Sequence, residues 1–208
     1  MQPIRGVYAI TPDLADNGQL VAKVAAVLAG GVRLLQYRNK TGEHNMRRAQ
    51  VGALLELCRQ YGARLIVNDD VELARELDAD GVHVGADDAA IPAARARLGR
   101  SKLIGASCYN DLVRAQAAAA AGADYVAFGS FFASSVKPGA ARAQLSVLPA
   151  ARRLGLPVVA IGGITLDNAG QLIAAGADAI AVISALFAAP DAADAARKFC
   201  RLFEASTV

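Results

Sequence analysis

Cysteines, histidines and long apolar runs are scarce in this sequence. The three cysteines stand at positions 58, 108 and 200, too far apart for a CxxC pair, and there are only two histidines. We therefore expect no structural zinc site, and we expect reduced thiols. No apolar run approaches the ~20 residues of a membrane span, and the opening MQPIRGVYAI lacks the apolar core of a signal peptide. The sequence predicts a soluble, cytoplasmic protein with no membrane partner.

A continuous tract of one charge is also missing. The chain has 22 Lys and Arg against 19 Asp and Glu, a net charge of +3, and the basic residues are scattered singly or in pairs. This pattern predicts no nucleic-acid partner and leaves room for small anionic substrates. The 208 residues are 54% hydrophobic and contain no linker, which predicts a single domain over residues 1–208. A homo-oligomer is compatible with the sequence.

Short β-branched runs alternate with Ala/Leu-rich amphipathic segments along the whole chain. Strands separated by helices form a parallel sheet through right-handed βαβ units. The predicted strands cover residues 6–10, 33–37, 64–68, 81–84, 103–107, 125–129, 157–162 and 179–184. The predicted helices cover residues 19–29, 45–60, 71–77, 90–98, 110–121, 145–154, 167–175 and 191–204.

A recurring phrase indicates repeated βα modules. AGGVRLLQYR, LDADGVHVGAD, AGADYVAFGS and AGADAIAVIS each run from a helix end through a turn into a strand. We expect the glycine of each phrase to take the left-handed position past the helix. Eight modules in 208 residues predict a small (β/α)8 TIM barrel with its active site at the carboxyl ends of the strands. A doubly wound open sheet is the alternative, but no GxGxxG motif follows the first strand.

Polar residues collect where the predicted strands end. In LLQYRNK, Gln36, Arg38 and Lys40 recur at a spacing of two, which in a strand points all three side chains to one face. Further polar or glycine residues follow the later strands: Asn68, Asp69, Asp70, Asp87, Asp88, Ser107, Ser134, Ser135, Lys137, Gly162, Gly163 and Ser184. In a TIM barrel all of these strand ends meet at one mouth.

The carboxylates after strands 3 and 4 have two interpretations. Each alone is typical of a helix N-cap, as with Asp70 before VELARELD and Asp88 before AAIPAAR. Two pairs at adjacent strand ends instead favour a shared Mg²⁺, which takes one or two carboxylates together with water and phosphate oxygens. We predict Asp69 and Asp88 as the metal ligands. Lys137 and the two cations of LLQYRNK would then form a cluster suited to a metal-bound polyphosphate.

A second anion site is predicted after strand 7. Gly162 and Gly163 precede a helix and can present bare backbone N–H groups, and barrels often bind phosphate after strands 7 and 8. No nucleophile is evident, since Cys108 has no histidine near it in sequence, and His83 is predicted to be a hydrogen-bonded structural residue. A site that binds a polyphosphate and a second phosphate, and that has no evident nucleophile, is suited to a substitution in which pyrophosphate leaves.

The order of several motifs resembles that of the thiamine phosphate synthase family over nearly the whole chain. The motifs are QYRNK, VNDD, DGVHVGADD, IGAS, ADYVAFGSFF, AIGGIT and AVISA. The resemblance implies a (β/α)8 transferase that joins 4-amino-2-methyl-5-hydroxymethylpyrimidine diphosphate to 4-methyl-5-(2-phosphoethyl)thiazole and releases pyrophosphate. In that family, pyrophosphate departure is thought to leave a pyrimidine carbocation, which the thiazole nitrogen captures.

The resemblance also implies residue roles. The pyrimidine diphosphate would be held by Gln36, Arg38 and Lys40, with Asn68 beside it. Mg²⁺ would be bound by Asp69 and Asp88, and the thiazole phosphate would be received by Gly163, Ile183 and Ser184, with Ser134 nearby. Ser107 would contact the pyrimidine, Lys137 would neutralise pyrophosphate, and both would form the catalytic set together with Arg38 and Lys40.

Four positions depart from the usual family pattern. Ala86 stands where Gln is common, Tyr109 where His is common, and Ser134 and Val136 where the family tends to show two threonines. The alternatives are a thiazole tautomerase-like relative, or a non-catalytic protein that binds a thiamine precursor. The intact Gln-Arg-Lys trio and the metal pair favour the synthase over the tautomerase, which needs neither, and the metal pair favours it over a binding protein, because simple binding would not require a metal.

Overall fold

The sheet of the protein closes on itself. The computed structural model describes residues 4–85, 90–133 and 142–204. Its parallel strands are β1 (Gly6–Ile10), β2 (Leu34–Tyr37), β3 (Arg64–Asn68), β4 (Gly81–Val84), β5 (Leu103–Tyr109), β6 (Tyr125–Phe128), β7 (Val158–Ile161) and β8 (Ala179–Val182). They pair in chain order, and β8 returns to pair with β1. The predicted TIM barrel is confirmed, and closure excludes the open sheet.

Helices connect the strands on the outside of the barrel. They are α1 (Asn17–Ala29), α2 (His44–Gln60), α3 (Val71–Glu76), α4 (Ala90–Leu98), α5 (Leu112–Ala120), α6 (Val147–Ala151), α7 (Leu166–Ala174), α8 (Ser184–Phe187) and α9 (Ala192–Glu204). All were predicted to within a few residues except α8, whose first residue was expected to end strand 8. Within the described ranges, no helix is both long and apolar enough to cross a bilayer.

Aspartates begin several of these helices. Asp16 accepts the Gln19 N–H at 2.7 Å before α1, and Asp111 accepts the Val113 N–H at 2.9 Å before α5. Such caps satisfy backbone donors that have no partner inside the helix. At these helices, a short polar residue before the Ala/Leu-rich segment therefore sets where the helix starts.

The barrel has two hydrophobic cores, one inside the strands and one between the strands and the helices, because the side chains of each strand alternate between its two faces. In β1, Val7 and Ala9 face outward and pack in the layer between the strands and the helices. Tyr8 and Ile10 face inward, with the inward residues of the other strands. Because successive strand residues point to opposite faces, every strand except β4 supplies both cores, and the inward residues near the carboxyl ends are placed in the mouth.

The recurring phrase marks the turns before the even strands. Gly31, Gly122 and Gly176 take left-handed φ angles of 104°, 92° and 107°, as predicted for three of the phrases. In LDADGVHVGAD the prediction is wrong, because Asp78 takes the left-handed position with φ 56°. Gly81 is required there for another reason, since a Cβ would lie 2.2 Å from the Leu103 carbonyl oxygen.

The acidic residue of the phrase ties two strands together. Asp80, Asp124 and Asp178 stand directly before β4, β6 and β8. Their carboxylates accept backbone N–H groups of β3, β5 and β7, namely those of Leu65 at 2.7 Å, Ile104 at 2.7 Å and Val158 at 2.8 Å. These contacts lie at the end of the barrel where the strands begin, opposite the mouth.

A tyrosine occupies the barrel interior beside a glycine. A Cβ on Gly105 would lie 2.0 Å from Cζ of Tyr125, so the aromatic ring occupies space that any side chain at this position would need. The Tyr125 hydroxyl lies 2.8 Å from that of Tyr8, and the two rings meet edge to face at 6.0 Å. The absence of a side chain at Gly105 therefore allows Tyr125 to reach across the barrel.

We predict that Gly105→Ala destabilises the protein by about 1–3 kcal/mol, because the added methyl group displaces a fully buried ring. Gly52→Ala is the matched control, since a Cβ there meets nothing within 4 Å in α2. The control should stabilise the protein by about 0.5–1 kcal/mol. Urea unfolding of both variants measures the effect, and equal stabilities would contradict the packing argument.

Candidate active site

The mouth of the barrel holds two adjoining pockets. The larger, of about 410 Å³, is lined by residues at the carboxyl ends of the strands, among them Gln36, Arg38, Asn68 and Ser107. The smaller, of about 340 Å³, lies at the ends of β7 and β8. Both are bordered by Ile161, Gly162, Ala181 and Ile183. Two ligands bound in these pockets would therefore lie next to each other.

The alternation predicted in LLQYRNK is seen for its first two polar residues. Gln36 is only 3% exposed, yet it lines the larger pocket together with Arg38. Lys40 lies beyond the strand, is exposed, and is not among the described residues that line this pocket. The strand thus passes from the core into the mouth at Gln36 and Arg38, while Lys40 belongs to the following loop.

Two residues after β1 hold this segment, and the sequence analysis missed both. The Thr11 hydroxyl donates to the Arg38 carbonyl and accepts the Arg38 N–H, each at 2.9 Å. Asp13 pairs with the Arg38 guanidinium at 3.2 Å and accepts the Lys40 N–H at 3.0 Å. The available signal was TPD directly after strand 1, polar residues in the same position as those noted after the later strands.

The two aspartates after β3 have different environments. Asp70 caps α3 by accepting the Leu73 N–H at 2.9 Å and pairs with Arg47 at 3.1 Å, so both of its oxygens have partners. Asp69 turns the chain with φ 61° and keeps its carboxylate exposed, where Asn68 donates to one oxygen at 2.7 Å. The predicted N-cap role of Asp70 is confirmed, and Asp69 has a carboxylate oxygen left for a further ligand.

Several predicted site residues lie outside the described residues. They are Asp87, Asp88, Ser134, Ser135 and Lys137, together with the departures at Ala86 and Val136. In the described ranges, no three His, Cys, Asp or Glu side chains come together as metal ligands do. The magnesium site, which pairs Asp69 with Asp88, therefore stays a prediction.

A chain of hydrogen bonds runs beneath the larger pocket. Gln36 Nε2 donates to Tyr8 Oη at 2.9 Å, and Tyr8 Oη lies 2.8 Å from Tyr125 Oη. His83 joins Tyr125 Oη through Nδ1 at 3.1 Å and Ser107 Oγ through Nε2 at 2.9 Å. The prediction that His83 is hydrogen-bonded is confirmed, but His83 also lines the pocket. Sequence reasoning missed both tyrosines, which read as ordinary core residues of strands.

Tyr109 lies at the rim of the larger pocket. It ends β5 with a left-handed φ of 53°, is 52% exposed, and its ring is 5.9 Å from the Arg114 guanidinium. The pairing of β5 with β6 shifts register between Ser107 and Tyr109. This shift lets Ser107 face inward while Tyr109 remains at the edge.

The smaller pocket is formed by glycine backbone. Gly162 and Gly163 have φ angles of 106° and 63°, and a Cβ on Gly163 would lie 2.3 Å from the Ala133 carbonyl oxygen. Ile183 and Ser184 complete the lining, with Ser184 at the start of α8. The structure therefore brings together Gly163, Ile183 and Ser184 as predicted. Bare backbone next to the start of α7 is suited to an anion.

The cysteines are not poised as nucleophiles. Burial raises the pKa of the Cys108 and Cys58 thiols to about 12, and it raises the pKa of Cys200 as well. A thiol with such a pKa is almost entirely protonated near neutral pH, so it is a poor nucleophile.

Comparison with known proteins gives a consistent result. A family model described as thiamine monophosphate synthase matches residues 7–186. A thiamine-phosphate synthase of Methylobacillus flagellatus is 59% identical over 203 residues, covering 98% of this chain and 97% of that protein. A thiamine-phosphate synthase of Thiobacillus denitrificans is 57% identical over 201 residues, covering 96% of this chain and 95% of that protein. The solved thiamine phosphate pyrophosphorylase of Pyrococcus furiosus superposes with a TM-score of 0.86 at 34% identity, covering 98% and 97%.

We predict that iodoacetamide at about pH 8 leaves Cys58 and Cys108 of the folded protein largely unmodified, because their raised pKa values keep thiolate scarce. The reaction would speed up only as the pH rises toward about 12, where the thiols ionise. Mass spectrometry of the alkylated peptides measures this, with the urea-unfolded chain as the fully reactive control. Fast modification of folded Cys108 at the lower pH would reveal an activated thiolate.

Proposed function

The chain belongs to the thiamine monophosphate synthase family, and from this premise we propose how its barrel mouth acts as a transferase. The reaction joins 4-amino-2-methyl-5-hydroxymethylpyrimidine diphosphate to 4-methyl-5-(2-phosphoethyl)thiazole and gives thiamine phosphate and pyrophosphate. The observation that carries the proposal is the pair of adjoining pockets, one with a cation and buried amide, the other lined by the backbone of two glycines. Each pocket suits one phosphorylated substrate.

The larger pocket takes the pyrimidine diphosphate. Gln36 and Ser107 offer hydrogen bonds to the ring, and the Arg38 guanidinium, held in place by Asp13, offers a fixed cation to the diphosphate. The diphosphate would also be contacted by Lys40, Asn68 and Lys137. The alignment of Arg38 before substrate arrives lowers the entropy cost of binding.

The ends of β3 and β4 supply the magnesium ligands. Asp69 fits this role because its carboxylate is exposed with one oxygen unpartnered among the described residues, whereas both oxygens of Asp70 are engaged. Asp69 and Asp88 would hold Mg²⁺, which when bound neutralises negative charge on the diphosphate. Carboxylates with a shell completed by water and phosphate oxygens are the usual ligand set of this ion.

The smaller pocket takes the thiazole phosphate. Its anion is received by the backbone at Gly163 and at the start of α8, by Ile183 and Ser184, with Ser134 nearby. A side chain at Gly163 would displace a wall of this pocket, since its Cβ would lie 2.3 Å from the carbonyl oxygen of Ala133, which lines it. The phosphate thus anchors the thiazole beside the pyrimidine.

The reaction is a dissociative substitution. The bond between the pyrimidine methylene carbon and the diphosphate oxygen breaks, and its electron pair leaves with pyrophosphate. The lone pair of the thiazole nitrogen then forms the new carbon–nitrogen bond. Arg38, Lys40 and Lys137 stabilise the charge that develops on the departing group, and Ser107 orients the ring. No enzyme nucleophile is needed, which agrees with the protonated state of the Cys108 thiol.

We further propose that the enzyme acts in the cytoplasm as a single barrel domain, compatible with a homo-oligomer, and has no nucleic-acid or membrane partner. The absence of nucleic-acid and membrane partners is supported by the basic residues, which are scattered singly or in pairs along the sequence.

The function is tested by mixing purified protein with both substrates, with and without Mg²⁺, and measuring thiamine phosphate and pyrophosphate. We expect equimolar products that require Mg²⁺. Binding of both substrates without product would support a binding protein instead, and isomerisation of the thiazole alone would support a tautomerase.

We predict that Asp69→Asn lowers turnover by about 100-fold or more, because it removes a charged metal ligand. The adjacent Asp70→Asn is the matched control and should keep turnover within about threefold, since Asn still caps α3 and the Arg47 pair is partly exposed. Turnover is measured over a range of Mg²⁺ concentrations. Near-normal turnover of Asp69→Asn would remove it from the metal site.

A variant in each pocket should raise KM for a different substrate. We predict that Arg38→Ala raises KM for the pyrimidine diphosphate by about tenfold or more through loss of a charge-assisted hydrogen bond, with little effect on the thiazole phosphate. Gly163→Ala should do the reverse, because its Cβ would displace the Ala133 backbone that lines the smaller pocket. Steady-state kinetics with each substrate varied in turn measures both values. Equal effects on the two substrates would contradict the assignment of pockets.

A further inference from the structure

The buried hydrogen-bond chain connects two pocket residues through the barrel interior. It links Gln36, Tyr8, Tyr125, His83 and Ser107 in that order, with successive distances of 2.9, 2.8, 3.1 and 2.9 Å. Both end residues line the larger pocket, as do Tyr8 and His83, whereas Tyr125 is fully buried. The hydrogen-bond chain therefore joins Gln36 to Ser107 through side chains that are at most 7% exposed.

The direction of donation follows from counting hydroxyl protons. Burial raises the pKa of Tyr8 and of Tyr125, so each keeps its proton. Tyr8 Oη accepts from Gln36 Nε2, and among the described residues the only acceptor within reach of its own proton is Tyr125 Oη, so Tyr8 donates to Tyr125. Tyr125 must then give its own proton to His83 Nδ1, because its hydroxyl meets no third polar group among the described residues. A buried donor left without an acceptor would cost about 1–3 kcal/mol.

The proton positions at the Ser107 end of the hydrogen-bond chain follow from the same count. His83 accepts at Nδ1 and therefore carries its single proton on Nε2, which donates to Ser107 Oγ. The Ser107 hydroxyl proton is left to be donated to a ligand. At the near end, Gln36 has given an N–H to Tyr8 and retains its carbonyl oxygen as an acceptor toward the pocket.

The hydrogen-bonding roles of Gln36 and Ser107 are coupled, because all the hydrogen bonds between them must donate in the same direction. If the Gln36 amide turned over, its carbonyl would accept from Tyr8, every later donor would reverse, and Ser107 would donate to His83. Gln36 would then offer N–H groups to the pocket, and Ser107 would offer an acceptor. In either direction, one end accepts while the other donates, and the orientation of Gln36 in the structure selects acceptor at Gln36 and donor at Ser107.

We propose that Tyr8, Tyr125 and His83 are positioning residues that hold Gln36 as acceptor and Ser107 as donor, and thereby select an aminopyrimidine over its oxo analogue. This inference rests on the proposed function. An aminopyrimidine presents an amino donor beside a ring-nitrogen acceptor, which matches the pair. The oxo analogue presents a carbonyl acceptor beside a ring N–H donor, so both of its groups face the wrong partner.

The first test measures the proton position directly and needs no activity. The chain has two histidines, and His44 is exposed at the start of α2, so ¹⁵N NMR of the ligand-free protein should give two separable ring systems. The His44→Asn variant assigns them. We expect His83 to be neutral and protonated on Nε2; a proton on Nδ1 would overturn the proposal. Loss of catalytic activity would leave this result unaffected, which separates failure of the inference from failure of the proposed function.

The second test measures selectivity. The ratio of kcat/KM for the amino substrate to that for the 4-oxo analogue is compared in the wild type, Tyr125→Phe and Tyr8→Phe. The intrinsic reactivities of the two compounds cancel in this comparison, because they are the same in every variant. We expect Tyr125→Phe to lower the ratio by about tenfold, as for one misaligned hydrogen bond. Tyr8→Phe should lower it as well, since Gln36 is then no longer held in one orientation.

The matched control is Tyr37→Phe. Tyr37 is also buried and donates to Gln50 at 2.8 Å, but it packs in the layer outside the barrel. This variant should keep both the His83 proton position and the selectivity ratio of the wild type. An unchanged ratio in Tyr125→Phe, or an equal fall in Tyr37→Phe, would overturn the proposal. If Tyr125→Phe fails to fold, Tyr8→Phe and the NMR measurement on the wild type still decide the question.

Discussion

The packing of Tyr125 against Gly105 is the contact on which the inside of the barrel depends. The ring fits only because Gly105 has no side chain, and in that position its hydroxyl reaches both Tyr8 and His83. The interior below the mouth is thereby filled by neutral donors and acceptors whose polar atoms satisfy one another. The groups directly beneath the mouth are thus uncharged and hydrogen-bonded, which avoids the cost of leaving buried polar groups without partners.

The charged residues of the mouth, Arg38 and Asp69, by contrast lie at its rim. Arg38 is held there by Asp13, and Asp69 is exposed at the end of β3. A substrate with a neutral ring and a charged diphosphate suits this division, because the ring can rest on the neutral floor while the charge remains among ions and solvent. Charge that develops on the leaving group then stays where cations can stabilise it, and the ring meets fixed dipoles whose directions are already set.

Much of the fold could be predicted from the sequence, since strand alternation, helix caps and left-handed glycines are local signals. The left-handed turn in LDADG was assigned to the wrong residue, because Asp78 rather than the glycine adopts that conformation. Helix α8 was missed because its four mostly apolar residues continue strand 8 without a break. Gln36 and Arg38 were found through their spacing. Tyr8 and Tyr125 were not, because they are 117 positions apart and meet only when the barrel closes. Thr11 and Asp13 act on the backbone of another strand, which composition does not reveal, and the roles of Asp88, Ser134 and Lys137 remain predictions.

The carboxylates of Asp80, Asp124 and Asp178 also bear on how the barrel can be divided. Each lies within one β-helix-β unit, because it joins an even strand to the odd strand just before it in the chain. In the first such unit Arg33 stands in the corresponding place before β2, and β1 and β2 are tied at the mouth instead, by Thr11 and Asp13. A cut in the helix that follows any even strand would leave every one of these ties intact. The barrel is thus composed of four self-braced quarters, three closed at the base and one at the catalytic end, a construction compatible with growth of the fold by duplication of a two-strand unit.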